Sequence, residues 1–380
     1  MFFPLVDWHA RLQRSQHLAK ALADMGHLCI YVNPHLGLEY YSPQLLSPEA
    51  RLSVLYPGIF ELHVHLPAEH PIDARRLRPP EVARIVRAID ILLNDLEIRD
   101  AIQIVSLPSW FEVVMALRDQ RGFPVLYDCH DYLSGFQRLA REIVDSEALL
   151  FEHCDQVAFS AQYLMDISIA SAPATGSKAL LLRNANDPED FVFPMKSQPC
   201  GVRARVGYAG SLDHWFDVEL IAETAARLPD VDFVLAGRIE DSRIRRLERC
   251  GNVHFTGEIP YSAVPKFLHS CDAAIIPFCR IPLTLATNPI KLYEYFSAGL
   301  PVVSTRLPEV ELYKDLVYIA DTKEQFGAFL RDAVSEGNPQ LREQRIATAR
   351  SESWQSRAHT LVDRLNRSEM NREVTVFNKI

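Results

Sequence analysis

Short apolar clusters, each about five residues long, alternate with segments of helical period from one end of the chain to the other. Repeated βα units with parallel sheets produce that alternation, so the expected fold class is α/β. In the first half the expected strands are Phe2 to Val6, Leu28 to Val32, Ile102 to Val105, Val125 to Tyr127, Val157 to Ser160 and Leu180 to Leu182. Helices are expected to start near Arg14, Pro80, Ser109, Phe136 and Ala161, the fourth keeping an apolar face of Ile143, Leu149 and Leu150. A polar stretch with two breakers, Met195 to Gly201, reads as a linker. A second cycle follows, with strands leaving at Gly210, Gly237 and Gly257 and two more in AAIIPF and PVVST. Glycine at a strand exit lets the chain turn tightly and lets a ligand approach the backbone, which puts the ligand edge at the carboxyl ends of these strands.

A chain of 380 residues exceeds what one core usually serves, and two Rossmann-like domains are expected. They should span 1–195 and 202–354, with 355–380 crossing back to the first as a helix whose apolar face is Trp354, Ala358, Leu361, Val362 and Leu365. A formal charge of -9 argues against broad binding to nucleic acid. One basic cluster, Arg75, Arg76, Arg78, Arg84 and Arg87, reads either as a solvated helix face or as a peripheral contact with anionic lipid. Seven scattered cysteines without a CxxC pair suit reduced thiols, and neither a signal peptide nor a membrane-spanning stretch is legible. The expected location is the cytoplasm, at most at the inner face of the membrane.

The segment TNPIKLYEYFSAGLPVVST, Thr287 to Thr305, is the most informative. Asn288 is an acceptable N-cap and Pro289 suits a first helical position, so a helix is expected from there to about Ala298. Amides at such a start attract a diphosphate, which Lys291 would support, while Glu294 on the same face could accept from ribose hydroxyls. An amphipathic helix with a solvated Lys and Glu explains the same spacing.

GYAG, VLAGR, the NPIKLYEYFSAGLPVVST helix and the closing SW..R helix together resemble the GT-B fold of glycosyltransferase family four, or group 1. The nearest branch is that of bacterial teichuronic acid, capsule and exopolysaccharide gene sets. WHARLQRSQHLAKALADMGH and VLYDCHDYLSGF resemble the same branch in the first half. The resemblance implies two Rossmann-like domains facing a central cleft, a nucleotide diphosphate sugar (UDP, GDP or dTDP linked) as donor, and a glycan or lipid-linked acceptor. No cofactor and no metal are implied, and the neighbours Asp128, His130 and Asp131 lie too close in sequence to face one ion from a strand. Donor binding is implied for Gly210, Ser211, Arg238, Asn288, Pro289, Ile290, Lys291 and Glu294. Catalytic roles are implied for His130, Asp131 and Lys291. Asp7, Trp8, Arg11 and Arg14 replace the family's glycine-rich first loop and are expected at the acceptor edge. Ala286 stands where the family carries the first glutamate of a pair, leaving Thr284, Thr287 and Asn288 as substitutes. Trp215, just after Gly210, either covers the donor or packs under the loop, packing being the preferred reading, and His63 with His65 are expected to be structural.

The resemblance further implies retention of anomeric configuration by front-face attack. Two rivals share the architecture, a sugar-nucleotide 2-epimerase and a catalytically silent nucleotide-sugar binding subunit, and Ala286 favours the latter. A dehydrogenase is disfavoured because neither half carries GxGxxG after its first strand.

Overall fold

In the computed structural model the described residues are 1–35, 45–47, 50–66, 72–191 and 203–367. The expected linker, Met195 to Gly201, lies outside them. Two compact units emerge, Met1–Arg183 with Gln355–Ile380, and Asn184–Trp354. Residues 184–191 thus group with the second unit rather than with an expected first domain of 1–195. Their hydrogen bonds explain it: the Asn184 backbone N–H donates to Asn288 Oδ1 at 2.9 Å, and the Asn186 side chain donates to the Ala349 carbonyl at 3.0 Å.

The first unit contains β1 (Phe2–Phe3), β2 (Cys29–Val32), β3 (Leu45–Ser47), β4 (Ala50–Tyr56), β5 (Ile59–Val64), β6 (Gln103–Val105), β7 (Val125–Cys129), β8 (Gln156–Phe159) and β9 (Ala179–Leu181). Between them run α1 (Arg14–Asp24), α2 (Pro79–Asp95), α3 (Phe111–Arg121), α4 (Arg141–His153) and α5 (Gln162–Ser171). Their sheet has the order β3-β4-β5-β2-β1-β6-β7-β8-β9. All pairs are parallel except β3 with β4 and β4 with β5. That antiparallel edge was not expected, since β4 alternates only weakly between apolar and polar residues. The helix expected near Phe136 starts at Arg141, after a single 3₁₀ turn at Leu133–Gly135. Trp110 anchors the core, fully buried, with its indole N–H donating to the Pro4 carbonyl at 2.9 Å.

The second unit contains β10 (Ala204–Ala209), β11 (Val231–Ala236), β12 (Val253–Gly257), β13 (Ala273–Ile276), β14 (Val302–Thr305) and β15 (Val317–Ala320). Its helices are α6 (Val218–Arg227), α7 (Val264–His269), α8 (Pro282–Leu285), α9 (Ile290–Ser297), α10 (Pro308–Glu311), α11 (Lys323–Val334) and α12 (Pro339–Ser351). The sheet order β12-β11-β10-β13-β14-β15 is wholly parallel. Strand order reverses between β10 and β13, and in open α/β sheets ligands bind outside the carboxyl ends at that reversal. The terminal helix α13 (Trp354–Arg367) begins on the unit boundary, and from Gln355 onward it groups with the first unit. Buried parallel strands such as β2, β8 and β13 read as near-continuous apolar runs.

Candidate functional site

In the second unit the reversal point is built by glycines. β10 exits into Gly210, whose φ is +144°, and a Cβ there would sit 3.1 Å from Lys291 Cε. A Cβ on Gly237, at the exit of β11, would lie 1.8 Å from the Gly210 carbonyl oxygen, so only glycine fits. Backbone bonds stitch the exits together, Gly210 N–H to the Ala236 carbonyl at 2.8 Å and Gly237 N–H to the Gly257 carbonyl at 2.9 Å. Ser211 follows, its carbonyl held by the Tyr208 hydroxyl at 2.8 Å.

Helix α9 brings Lys291 and Glu294 to this edge. The Lys291 ammonium lies 4.8 Å from the Phe278 ring centroid and 5.4 Å from that of Tyr208, a cation over aromatic faces. Burial pushes it down from the ordinary 10.5 to about 8, with Glu294 opposing. Burial likewise pushes the Glu294 carboxyl up from 4.5 to about 7, with Lys291 lowering and Asp187 raising it. Tyr261 is raised by burial first and then by Glu294, Asp187 and Asp190, so these groups share one field. Asp187, Tyr208, Tyr261 and Phe278 were not expected here. Phe278 was legible only as the last residue of the AAIIPF strand.

Three expectations in this segment need correcting. The N-cap of α9 is Pro289, and Ile290 is its first residue. Asn288 instead turns inward: its amide donates to Glu309 Oε2 at 2.9 Å and Tyr293 Oη at 3.0 Å, while its Oδ1 accepts from the Asn184 N–H. It is only 1% exposed, and these bonds tie the segment before α9 to Asn184 and Glu309. Thr284 is also committed, its hydroxyl bonding the Ile281 carbonyl at 3.0 Å, and the Thr287 hydroxyl bonds the Leu283 carbonyl at 2.7 Å. Ala286 is fully buried, and no carboxylate takes the place of the absent glutamate among these residues. Arg238 points outward, 63% exposed, and pairs with Glu240 at 3.0 Å. Trp215 is packed against the core, its carbonyl accepting from Cys279 N–H at 2.7 Å.

In the first unit the residues expected at the acceptor edge divide. Gln16 organises the loop before α1, accepting from Gln13 N–H at 3.0 Å and donating to the Arg11 carbonyl at 2.9 Å. Trp8 stands edge-on to Tyr31 with ring centroids 5.1 Å apart. Arg14 is not presented by the loop: it is 2% exposed, and its Nε lies 2.9 and 3.0 Å from the two carboxylate oxygens of Asp128. As the first residue of α1 it faces the end of β7, where only a charge partner makes its burial tolerable. His130 Nδ1 is 3.0 Å from the Asp128 carbonyl and Nε2 is 3.6 Å from Asp131 Oδ2. Burial raises the Asp131 carboxyl, with His130 and Arg14 acting against it. Asp7, His9 and Glu61 also converge, with candidate ligand atoms within 4.8 Å of one another. An exposed His9 imidazole 3.4 Å from the buried Glu61 carboxylate accounts for that cluster as an ion pair when protonated. His63 stacks edge-on with His65 at 5.2 Å inside the core.

Residues 203–333 match the family described as glycosyl transferases group 1. Over 262 residues the chain is 29% identical to a Bacillus subtilis protein named as a teichuronic acid biosynthesis glycosyltransferase, TuaH. The match takes in 66% of this chain and 65% of that protein's length. Among solved structures, sucrose-phosphate synthase from Thermosynechococcus elongatus superposes with a TM-score of 0.67 at 13% identity, covering 92% of this chain and 91% of that one. Anabaena HepE in complex with UDP-glucose gives 0.57 at 15%, covering 76% and 82%. An Escherichia coli trehalose-6-phosphate structure bound with UDP-2-fluoro glucose gives 0.66 at 12%, covering 95% and 98%. At these identities the structural likeness establishes the fold. Residues 203–333 are thus a glycosyl transferases group 1 domain, set in a two-sheet chain of the GT-B class that is homologous to TuaH.

Proposed function

We propose that the chain is a retaining glycosyltransferase that moves a sugar from a UDP-sugar to a glycan or lipid-linked acceptor in the assembly of a cell-surface polysaccharide. The observation that carries this reading is the placement of Lys291 and Glu294 one turn apart on α9, against the glycine exit of β10 and at the reversal point of the sheet. Lys291 supplies a cation for the diphosphate and Glu294 an acceptor for ribose hydroxyls. The UDP and UDP-sugar complexes among structures of similar fold favour uridine as the base, and the name of the curated relative favours the polysaccharide role.

In the proposed reaction an acceptor hydroxyl attacks the anomeric carbon on the face the diphosphate leaves. The bond from that carbon to the phosphate oxygen breaks, and the leaving phosphate takes the hydroxyl proton. Charge grows on the phosphate oxygens, where Lys291 stabilises it without reorganisation. No metal or further cofactor is required. We place the protein in the cytoplasm with peripheral membrane contact. Thiols support this, since the described cysteines are all free, and so does the lack of any described helix long and apolar enough to cross a membrane.

Calorimetry against UDP, GDP, dTDP, CMP and NAD, with and without magnesium, tests the reading. UDP should bind without metal, and Glu294→Ala should weaken it; binding of NAD alone would overturn the assignment. The buried Ala286 favours one alternative, a nucleotide-sugar binding subunit without turnover. UDP-glucose hydrolysis or transfer by the purified chain decides between the two.

A further inference from the structure

Tyr208 touches two parts of the proposed donor site, the turn after β10 and the Lys291 side chain, while lying outside the site itself. Side chains alternate along a strand, so Tyr208 shares a face with Val206 and with Gly210 just beyond the strand end. The missing side chain of Gly210 leaves room there: a Cβ would sit 3.4 Å from the Tyr208 hydroxyl and 3.1 Å from Lys291 Cε. Past that glycine the hydroxyl donates to the Ser211 carbonyl at 2.8 Å. The ring makes the second contact, its centroid 5.4 Å from the Lys291 ammonium, within reach of a cation–π interaction.

The ring is itself held. Tyr208 is fully buried and meets Phe216 edge-on, with centroids 5.0 Å apart. Phe216 is bridged through its backbone to Phe278, the other ring beside Lys291. Helix α9 reaches back in turn, its Tyr295 hydroxyl accepting from the Ala209 N–H at 3.1 Å. The register of β10 with β13 ends at Gly207 and Ala274, so this hydroxyl occupies a strand position that β13 no longer pairs. One tyrosine from each element thus joins the turn after β10 to α9. A phosphate held by a backbone turn and one cation binds best when the two are fixed to each other beforehand, because ordering them on binding costs affinity.

We infer that Tyr208 is a positioning residue for the donor diphosphate: its hydroxyl sets the turn at Gly210 and Ser211, and its ring sets the Lys291 ammonium against that turn. Fully buried, it acts through these groups and not by touching the donor. The inference rests on the donor site proposed above and names what fixes two of its parts to one another.

Calorimetry of the full chain with UDP and with uridine tests it, because only UDP carries the diphosphate. Tyr208→Phe keeps the ring and removes the hydroxyl; UDP should bind about tenfold more weakly and uridine as in the parent. Tyr208→Leu removes the ring as well and should weaken UDP by about a further threefold, again sparing uridine. In a Lys291→Met background the two Tyr208 variants should bind UDP equally, since the ring then has no ammonium to hold. Tyr318→Phe, which deletes a hydroxyl bonded to Glu336 on the edge strand β15, should leave both ligands unaffected. A parent that binds no UDP overturns the donor site and this inference together. A parent that binds UDP while Tyr208→Phe matches it overturns the positioning role alone. Equal losses of UDP and uridine do the same, because a merely structural tyrosine would produce them. A difference between the Phe and Leu variants that survives Lys291→Met overturns the link to Lys291.

Discussion

Arg14 and Lys291 each occupy the first turn of a helix beside the carboxyl ends of parallel strands, one in each unit, and their surroundings are opposite. Arg14 is buried against both oxygens of Asp128, so its charge is consumed inside the protein. Lys291 forms no ion pair among the described residues; aromatic rings flank it and burial drives its proton affinity down. A cation with a carboxylate holds two elements together. A desolvated cation without one is arranged for an anion that arrives later. Sequence motifs do not separate these cases, because both residues read as cations at a helix start.

The largest effect should come from breaking the paired side. Arg14→Ala leaves Asp128 buried and uncompensated and should cost about 3–5 kcal/mol. Chemical denaturation of the full chain measures it, with Arg14→Met/Asp128→Leu expected to recover most of the loss. If Arg14→Ala is as stable as the parent, the pair is not what ties α1 to β7.

Lys291→Ala probes the unpaired side. Turnover should fall about 10²- to 10³-fold, the usual loss for one preorganised charge donor at a transition state. Melting temperature should stay level or rise, because a desolvated cation has been removed. A folded variant with near-parental turnover would take Lys291 out of the mechanism.

Titration sharpens the contrast further. Glu294 has a folded value of about 7, raised above 4.5, so its contribution to stability is present below 4.5 and lost as pH rises through about 7. Lys291 has a folded value of about 8, lowered from 10.5, so its contribution is present above 10.5 and lost as pH falls through about 8. Between these values both groups are charged, which costs the ligand-free fold most and suits a nucleotide diphosphate best. UDP affinity should therefore peak between pH of about 7 and about 8. Lys291→Arg should remove the alkaline fall, since a guanidinium stays charged. Glu294→Gln should remove the acid one. A flat profile in the parent would separate this pair from nucleotide binding.

How much of this was legible depends on how local each signal is. The repeated βα alternation, the glycine exits and the short helix carrying Lys291 and Glu294 each reside within a few residues, and the fold class follows from them. What escaped were partnerships across long separations. Arg14 and Asp128 are 114 positions apart, and Asn184 and Asn288 are 104. Asn288 makes the point well. Asn before Pro is a good N-cap by local rule, yet the Oδ1 that would cap the helix accepts instead from the distant Asn184 N–H and the Tyr293 hydroxyl, while its amide donates to Glu309. Asn288→Ala should then cost about 1–3 kcal/mol, the range for leaving a buried partner unsatisfied. UDP affinity per folded molecule should be unchanged, and a selective loss of affinity would return Asn288 to the donor site.

Arg238 should give the smallest effect on stability, and it tests whether an exposed pair can still serve a ligand. Its guanidinium is 63% exposed and pairs with Glu240, an arrangement worth about 0–1 kcal/mol. Arg238→Ala should therefore leave melting temperature nearly untouched. If the side chain leaves Glu240 for a bound diphosphate, UDP affinity should still fall several-fold, and the loss should shrink as salt is raised, because the charge acts from solvent. Glu240→Gln should do the reverse, freeing Arg238 and raising affinity slightly. Should both variants bind UDP like the parent, the cation beside the phosphates is Lys291 alone, and the desolvated group carries the whole electrostatic role in the second unit.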